Sequence, residues 1–285
     1  MKLVLGSAAW RIQYGAFSKG LLTDKQIKNL TSSAASLGFD FIDTAPTYGD
    51  TEEVIGRVKP KQNIATKVTV DTSNYSSIIK SIDRSRRNLG VESLDLVFIH
   101  NWDVLSESEK SISANMLHAC TADQTINSWG FSTYEVTELM KIEKHGWSNL
   151  TVQINSNILD QRILEIESSL RGVDFKKLHT EIWVRSVFLQ GVLLDNSPKN
   201  PFIDHQDIVN FFSVCKEFGV SPLEISLAYI RQLDFADCVV LGIENEHQLN
   251  EITKAFTVEI PSTSLKHVAS RDVKLIDPRK WNLNK

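Results

Sequence analysis

Eight short runs of β-branched and apolar residues recur along the chain, each followed by a longer amphipathic stretch. They are Leu3 to Ser7, Phe39 to Asp43, Asn63 to Lys67, Leu94 to His100, Thr125 to Phe131, Leu150 to Ile154, Glu181 to Ser186 and Cys238 to Gly242. Continuous apolarity over so few residues suits strands covered on both faces, as in a parallel sheet whose crossovers are helices. The intervening stretches carry helix punctuation. Thr23-Asp24-Lys25-Gln26 reads as a capping box opening a helix that runs to Leu37 and stops at Gly38. Ser77 to Leu89 sets Ile78, Ile79, Ile82 and Leu89 along one side, with Gly90 as terminator. Ile208 to Phe218 stops at Gly219, and Pro222 suits the first turn of a helix continuing to about Leu233.

Eight strand and helix pairs within 285 residues match a closed (β/α)8 TIM barrel, whose usual size is about 250 residues. With 42% hydrophobic residues the chain can fill one large core. A doubly wound open sheet is the rival, but Leu5-Gly6-Ser7-Ala8-Ala9-Trp10 lacks the glycine-rich turn expected after its first strand. The expectation is therefore an α/β chain forming a single-domain barrel over 1–285. Leu193 to Asp204, with Pro198, Asn200 and Pro201, has no periodicity and reads as a substrate-side loop after the seventh strand.

Charges of both signs are interspersed around a net of -4, so no basic stripe marks nucleic acid and no basic cluster marks a lipid surface. No apolar segment approaches the roughly 20 residues that span a bilayer, and Met1 to Trp10 is too short and too soon polar for a secretion signal. A cytoplasmic enzyme acting on a small molecule is expected, and nothing in the patterning specifies an oligomeric state. Cys120, Cys215 and Cys238 are widely separated, without a CxxC pair or a His at ligand spacing. They read as reduced, structural thiols, with no metal site implied.

Asp43, Lys67 and His100 each close a predicted strand, and in a barrel those ends converge on the face where active sites are built. Tyr48 follows Asp43 by five residues, enough chain to turn its hydroxyl over the mouth. Singly, such residues have ordinary roles: an Asp caps a helix, a Tyr packs, a His satisfies core polarity. Four matched types at successive strand ends point instead to proton delivery onto the alkoxide that forms when hydride adds to a carbonyl. The phenol, with an ordinary pKa of about 10, is expected to be acidified by the neighbouring Lys67 ammonium, itself held by Asp43. His100 would orient the substrate oxygen. No Ser stands on a GxSxG elbow.

The run Gly38-Phe39-Asp40-Phe41-Ile42-Asp43-Thr44-Ala45-Pro46-Thr47-Tyr48-Gly49, followed by Glu52-Glu53-Val54-Ile55-Gly56-Arg57, resembles the core motif of the aldo-keto reductases. Lys67 after Ile64-Ala65-Thr66, and His100 after Leu94 to Ile99, fall at that family's next two catalytic positions. The resemblance extends to about Ile252 and implies an NAD(P)H-dependent oxidoreductase reducing an aldehyde or ketone, sugar derivatives included. Ser132, in Gly130-Phe131-Ser132-Thr133-Tyr134, and Gln153 match the residues that hold the nicotinamide carboxamide, with Thr133 standing where Asn is usual. Arg185-Ser186-Val187-Phe188-Leu189-Gln190-Gly191 places Arg185 where many members have an aromatic ring stacking on the nicotinamide, with Ser186 beside it. That string, with Asn157-Ile158-Leu159-Asp160-Gln161-Arg162, is similar to a bacterial branch often associated with surface-polysaccharide synthesis.

After the eighth strand the resemblance implies phosphate-binding groups, here Gly242, Glu244 and Gln248, two of them where many relatives carry Lys and Arg. Kinship favours NADP(H), with Lys254, Arg231 or His247 as cations able to approach; the local negative charge favours NAD(H). Trp10 and Trp102 are expected to overhang the mouth as an apolar or sugar-stacking wall, with Tyr14 and Arg11 adding polar selectivity. A second reading, also from the family, is a nucleotide-sensing regulatory barrel without physiological turnover.

Overall fold

A computed structural model describes residues 1–15, 17, 21–166, 173–260, 265 and 268–281. The sheet is a closed barrel of eight parallel strands in sequence order, each hydrogen-bonded to the next and the last to the first. They are β1 (Lys2–Gly6), β2 (Phe39–Asp43), β3 (Asn63–Val68), β4 (Leu96–Ile99), β5 (Trp129–Thr133), β6 (Leu150–Asn155), β7 (Glu181–Arg185) and β8 (Cys238–Gly242). Six lie within one residue of expectation. The fourth begins later because Asp95 turns its carboxylate onto the Ile64 amide at 2.8 Å, leaving Leu94 only an isolated bridge to Ile126. The fifth begins four residues late because Asp123 accepts from both the amide and the hydroxyl of Thr125, making a local turn there.

The principal crossovers are α1 (Asp24–Ser36), α2 (Thr51–Val58), α3 (Ser76–Leu89) and α4 (Glu107–Ala122). Two single-turn helices follow, α5 (Lys141–Lys144) and α6 (Arg162–Glu165), then α7 (Gln206–Phe218), α8 (Pro222–Arg231), α9 (Glu246–Ala255) and the short α10 (Val273–Ile276). Thr23 and Gln26 form the reciprocal capping box, and Gly90 and Gly219 close their helices in the left-handed conformation. Ile79 departs from the expected stripe. The buried line of α3 is Ile78, Ile82, Ser85 and Leu89, and Ile79 is exposed. Among the described residues no helix is long and apolar enough to cross a membrane.

Strand alternation divides the apolar residues into two cores. Outward-facing Leu5, Ile42, Val97 and Ile154 meet Ile27, Leu30 and Ile78 of the helices. Inward-facing Val4, Ala65, Leu96, Phe98, Trp183, Cys238 and Val240 fill the barrel, with Phe41 packed against them. Trp183 is the centre of that plug, edge-on to Phe41 at 5.1 Å and to Phe98 at 5.6 Å. The space above it, at the C-terminal ends of the strands, is what remains for a site. All three cysteines are buried and unpaired.

Candidate active site

A cavity of about 710 Å³ opens above the Trp183 plug, within the size range of small-molecule sites. Every strand contributes a residue to it within two positions of its C-terminal end, namely Gly6, Asp43, Lys67, His100, Ser132, Gln153, Arg185 and Gly242, and β8 adds Val240. Tyr48 reaches the same cavity from the turn after β2, where its amide binds the Ala45 carbonyl at 3.0 Å and Gly49 takes a positive φ of 68°. Only this topology brings residues so far apart in sequence to one wall.

The Lys67 ammonium is held by both Asp43 oxygens, at 2.8 and 2.7 Å, and by the Thr44 carbonyl at 3.0 Å. Its three protons are thereby spent. Burial pulls its pKa down, and the Asp43 carboxylate in two-point contact opposes that. The amine lies 5.3 Å from the centroid of the Tyr48 ring. The phenol is not acidified as the sequence suggests. Burial pushes its pKa up, the Asp43 charge adds to that, and the Arg185 cation acts in the opposite direction. Asp43 cancels the charge of Lys67, and burial penalises the phenolate. His100 is held neutral, its pKa drawn down to about 4 by burial first and by Lys67 and Arg185 next. A neutral imidazole can donate a hydrogen bond to a substrate oxygen.

Two expected wall residues lie elsewhere. Trp10 is fully buried, its Nε1 donating to the Ile243 carbonyl at 2.8 Å. Trp102 is also fully buried, stacked on Phe131 at 4.1 Å with its Nε1 on Glu138 at 2.7 Å. Both indoles point outward from the strand ends into the helix layer, where an apolar ring loses most water. Arg11 likewise serves the scaffold, holding Asp50 at 2.7 and 3.0 Å. Thr133 turns away from the cavity and donates to Asp103. Of the substrate-side loop, Leu194 and Asp195 reach the cavity, whereas Asn200 is buried holding the Val192 and Asp195 carbonyls.

The mouth includes residues without an assigned role in the sequence: Asn101, Asp103, Tyr134 and Arg279, beside the expected Tyr14. Tyr134 carries two guanidinium groups over its ring, Arg185 at 4.3 Å and Arg279 at 3.9 Å. Arg279 comes from beyond every recognisable motif, so only the fold could bring it here.

A profile of the Aldo/keto reductase family matches residues 2–272. The chain belongs to that family. It is an aldo-keto reductase. An aldo-keto reductase of Mycolicibacterium smegmatis is 27% identical over 265 residues, covering 88% of this chain and 87% of that protein. The NAD/NADP-dependent indole-3-acetaldehyde reductase of Schizosaccharomyces pombe is 27% identical over 156 residues, 53% of this chain and 52% of its own. Among solved structures, the holo form of a Bacillus halodurans aldo-keto reductase superposes with a TM-score of 0.71 at 17% identity, over 94% of this chain and 90% of that one. The glycerol dehydrogenase of Gluconobacter oxydans gives 0.67 at 22%, over 93% and 89%. These two likenesses concern the barrel fold.

In this reductase the cavity continues from the tetrad to the ends of β1 and β8. Gly6, Ala8, Ala9 and Gly242 line that wall, and a side chain at Gly242 would project into open space. Bare backbone leading to the N-terminus of α9 is suited to a dinucleotide's phosphates. Ser132 donates to Gln153 Oε1 at 3.2 Å, and Gln153 Nε2 donates to Asp43 at 2.8 Å. Gln153 keeps one N–H and one lone pair for a carboxamide. Ser186 donates to Asn155 Oδ1 at 3.0 Å and lines the cavity. At the far end Gln248 accepts from the Glu244 amide at 2.8 Å, and Glu244 and Glu251 both line the wall. The three cations considered for this end stand off it. Arg231 holds the Phe256 and Val258 carbonyls, His247 pairs with Glu251 on the surface, and Lys254 is exposed and does not line the cavity.

Proposed function

We propose that the enzyme reduces an aldehyde or ketone to an alcohol, with Tyr48 as the proton donor. The observation that carries this is the meeting of Tyr48, His100 and the buried Asp43–Lys67 pair on one wall of the cavity. A bound nicotinamide would supply the hydride, held at its carboxamide by Ser132 and Gln153, over Arg185 and Ser186. His100, neutral, orients the carbonyl oxygen through its N–H. Tyr48 gives its proton to that oxygen as negative charge develops there, and Lys67 keeps Asp43 compensated beside it. In the reverse direction the phenolate takes the proton from the alcohol.

NADP(H) is the expectation from kinship, but Glu244 and Glu251 at the β8 end, with no Lys or Arg among the described lining residues there, support tighter binding of NAD(H). The mouth supports a small hydroxylated carbonyl compound, a sugar derivative being one such class, because Asn101, Asp103, Tyr134 and Asp195 offer hydrogen bonds. Buried free thiols and the absence of any basic stripe support a cytoplasmic enzyme that binds neither nucleic acid nor membrane.

The test is loss of reduced-nucleotide absorbance over an aldehyde, ketone and sugar panel, comparing wild type with Tyr48→Phe. Turnover should fall by about two to three orders of magnitude in the variant, with nucleotide affinity nearly intact. Near-wild-type turnover would remove Tyr48 from its role, and nucleotide binding with no turnover across the panel would favour the sensing barrel. Titration of both nucleotides by quenching of tryptophan fluorescence should show NAD(H) binding more tightly; the opposite order would overturn that preference alone.

A further inference from the structure

Asp43 and Lys67 take their places from strands, but Tyr48 stands in the turn between β2 and α2, where no ladder of hydrogen bonds sets its position. Two residues on, Asp50 occupies the N-cap of α2. An Asp there ordinarily accepts from the first amides of its helix. This carboxylate makes no such bond. It is turned instead onto Arg11, in the loop after β1, whose Nε and Nη2 donate to its two oxygens at 2.7 and 3.0 Å. The same guanidinium donates through Nη1 to the Leu22 carbonyl at 2.7 Å, where the chain returns to bind the Trp10 carbonyl. Trp10, next to Arg11, is fully buried and bonded to Ile243, so the base of this loop is a fixed anchor. Gly49 presses on the same base. A Cβ there would lie 3.0 Å from Ile12 Cγ2 and 3.1 Å from the Arg11 carbonyl oxygen, and its φ is 68°. From the same loop the Tyr14 ring meets the Tyr48 ring edge-on at 6.3 Å.

We propose that Arg11 is a positioning residue for proton delivery: through Asp50 it fixes the corner from which the Tyr48 hydroxyl reaches the substrate oxygen. The inference rests on Tyr48 being the proton donor. Within its own turn Tyr48 is held only locally, its amide on the Ala45 carbonyl and its carbonyl accepting from the Thr51 hydroxyl. The Arg11–Asp50 pair and the Gly49 contact add the tie from that turn to the neighbouring loop. A half-exposed ion pair with a single contact stabilises a fold little. This one is bidentate, which fixes direction as well as distance. Rate is the more sensitive quantity, since a shift of about 1 Å in a reacting group can cost about a hundredfold. Neither Arg11 nor Asp50 lines the cavity. The pair therefore acts on the reaction by way of the acid, without touching substrate or cofactor.

Arg11→Gln should lower kcat for carbonyl reduction by about tenfold or more, while nucleotide affinity, read by quenching of tryptophan fluorescence, holds. Arg11→Lys, a point charge unable to span both carboxylate oxygens, should recover part of the loss. Asp50→Asn should reproduce it, and joining Asp50→Asn to Arg11→Gln should add nothing, because the two side chains act as one unit. The deciding comparison is in the Tyr48→Phe background, where Arg11→Gln should leave the residual rate as it is. A merely structural role would lower the rate there by the same factor as in wild type. Circular dichroism checks that each variant folds; if Arg11→Gln does not, Asp50→Asn carries the same comparison. An unmoved kcat in Arg11→Gln, or an equal fold-loss in the Tyr48→Phe background, overturns the inference. Full turnover in Tyr48→Phe alone would instead remove the proton-donor reading beneath it.

Discussion

His100 has its ionisation set by residues on other strands. Burial and the Lys67 and Arg185 charges hold it neutral down to about pH 4. The pH profile of carbonyl reduction between pH 5 and 8 should therefore show no inflection from His100, and its wild-type shape there should survive in His100→Gln at a lower rate. The sign for stability follows from the same shift. The unfolded chain binds the proton near the ordinary value of about 6.5, before the folded protein does, so stability falls as pH drops from about 6.5 toward 4. Urea denaturation at pH 7 and pH 5 should show His100→Gln losing less stability than wild type across that interval, with a difference of at most about 2 kcal/mol. Residue types were legible at this scale: a carboxylate, phenol, ammonium and imidazole at matched positions need no coordinates to be noticed. Their protonation was not, because it depends on which cation each one faces.

At the scale of elements, Trp102 shows why an aromatic near a catalytic histidine is ambiguous in sequence. Its indole belongs to a buried polar knot, with Glu138 receiving Trp102 at 2.7 Å, Lys110 at 2.9 Å and Lys141 at 2.7 Å. The knot ties the loop after β4 to α4 and to the 3-10 turn Val136–Met140 ahead of α5. Glu138→Leu would leave the buried Lys110 ammonium with only a 3.3 Å contact to the exposed Glu107 and would orphan the indole N–H. A loss of about 3 kcal/mol is expected in chemical denaturation. Helix α4 is itself hard to see in sequence. Ser106 and Glu109 make a full capping box, but its buried residues are Lys110, Ser113, Ala114, Leu117 and Cys120, not an apolar stripe. Gly56, inside the recognised motif, has an element-scale reason too: a methyl group there would collide with the Asn88 carbonyl, so α2 and α3 could not pack as closely.

Across the whole molecule, closure of the sheet turns eight strand ends into one site and apolar residues from six strand interiors into one plug. Trp183 fills the centre of that plug and underlies the cavity floor. Trp183→Ala should cost about 3–5 kcal/mol, measured by denaturant unfolding, since the ring is wholly enclosed and the barrel cannot collapse around the void. The chain alone determined the strand and helix order, and with it the barrel, because apolar periodicity and capping residues are local signals. It also determined the motif residues at the strand ends. Tertiary structure alone decided that Trp10 and Trp102 are buried, which loops meet at the mouth, that Arg279 arrives there, and that Arg185 forms no ion pair with a carboxylate among the described residues. Those outcomes depend on distances between strands far apart in sequence, and electrostatic energy follows spatial separation rather than order along the chain.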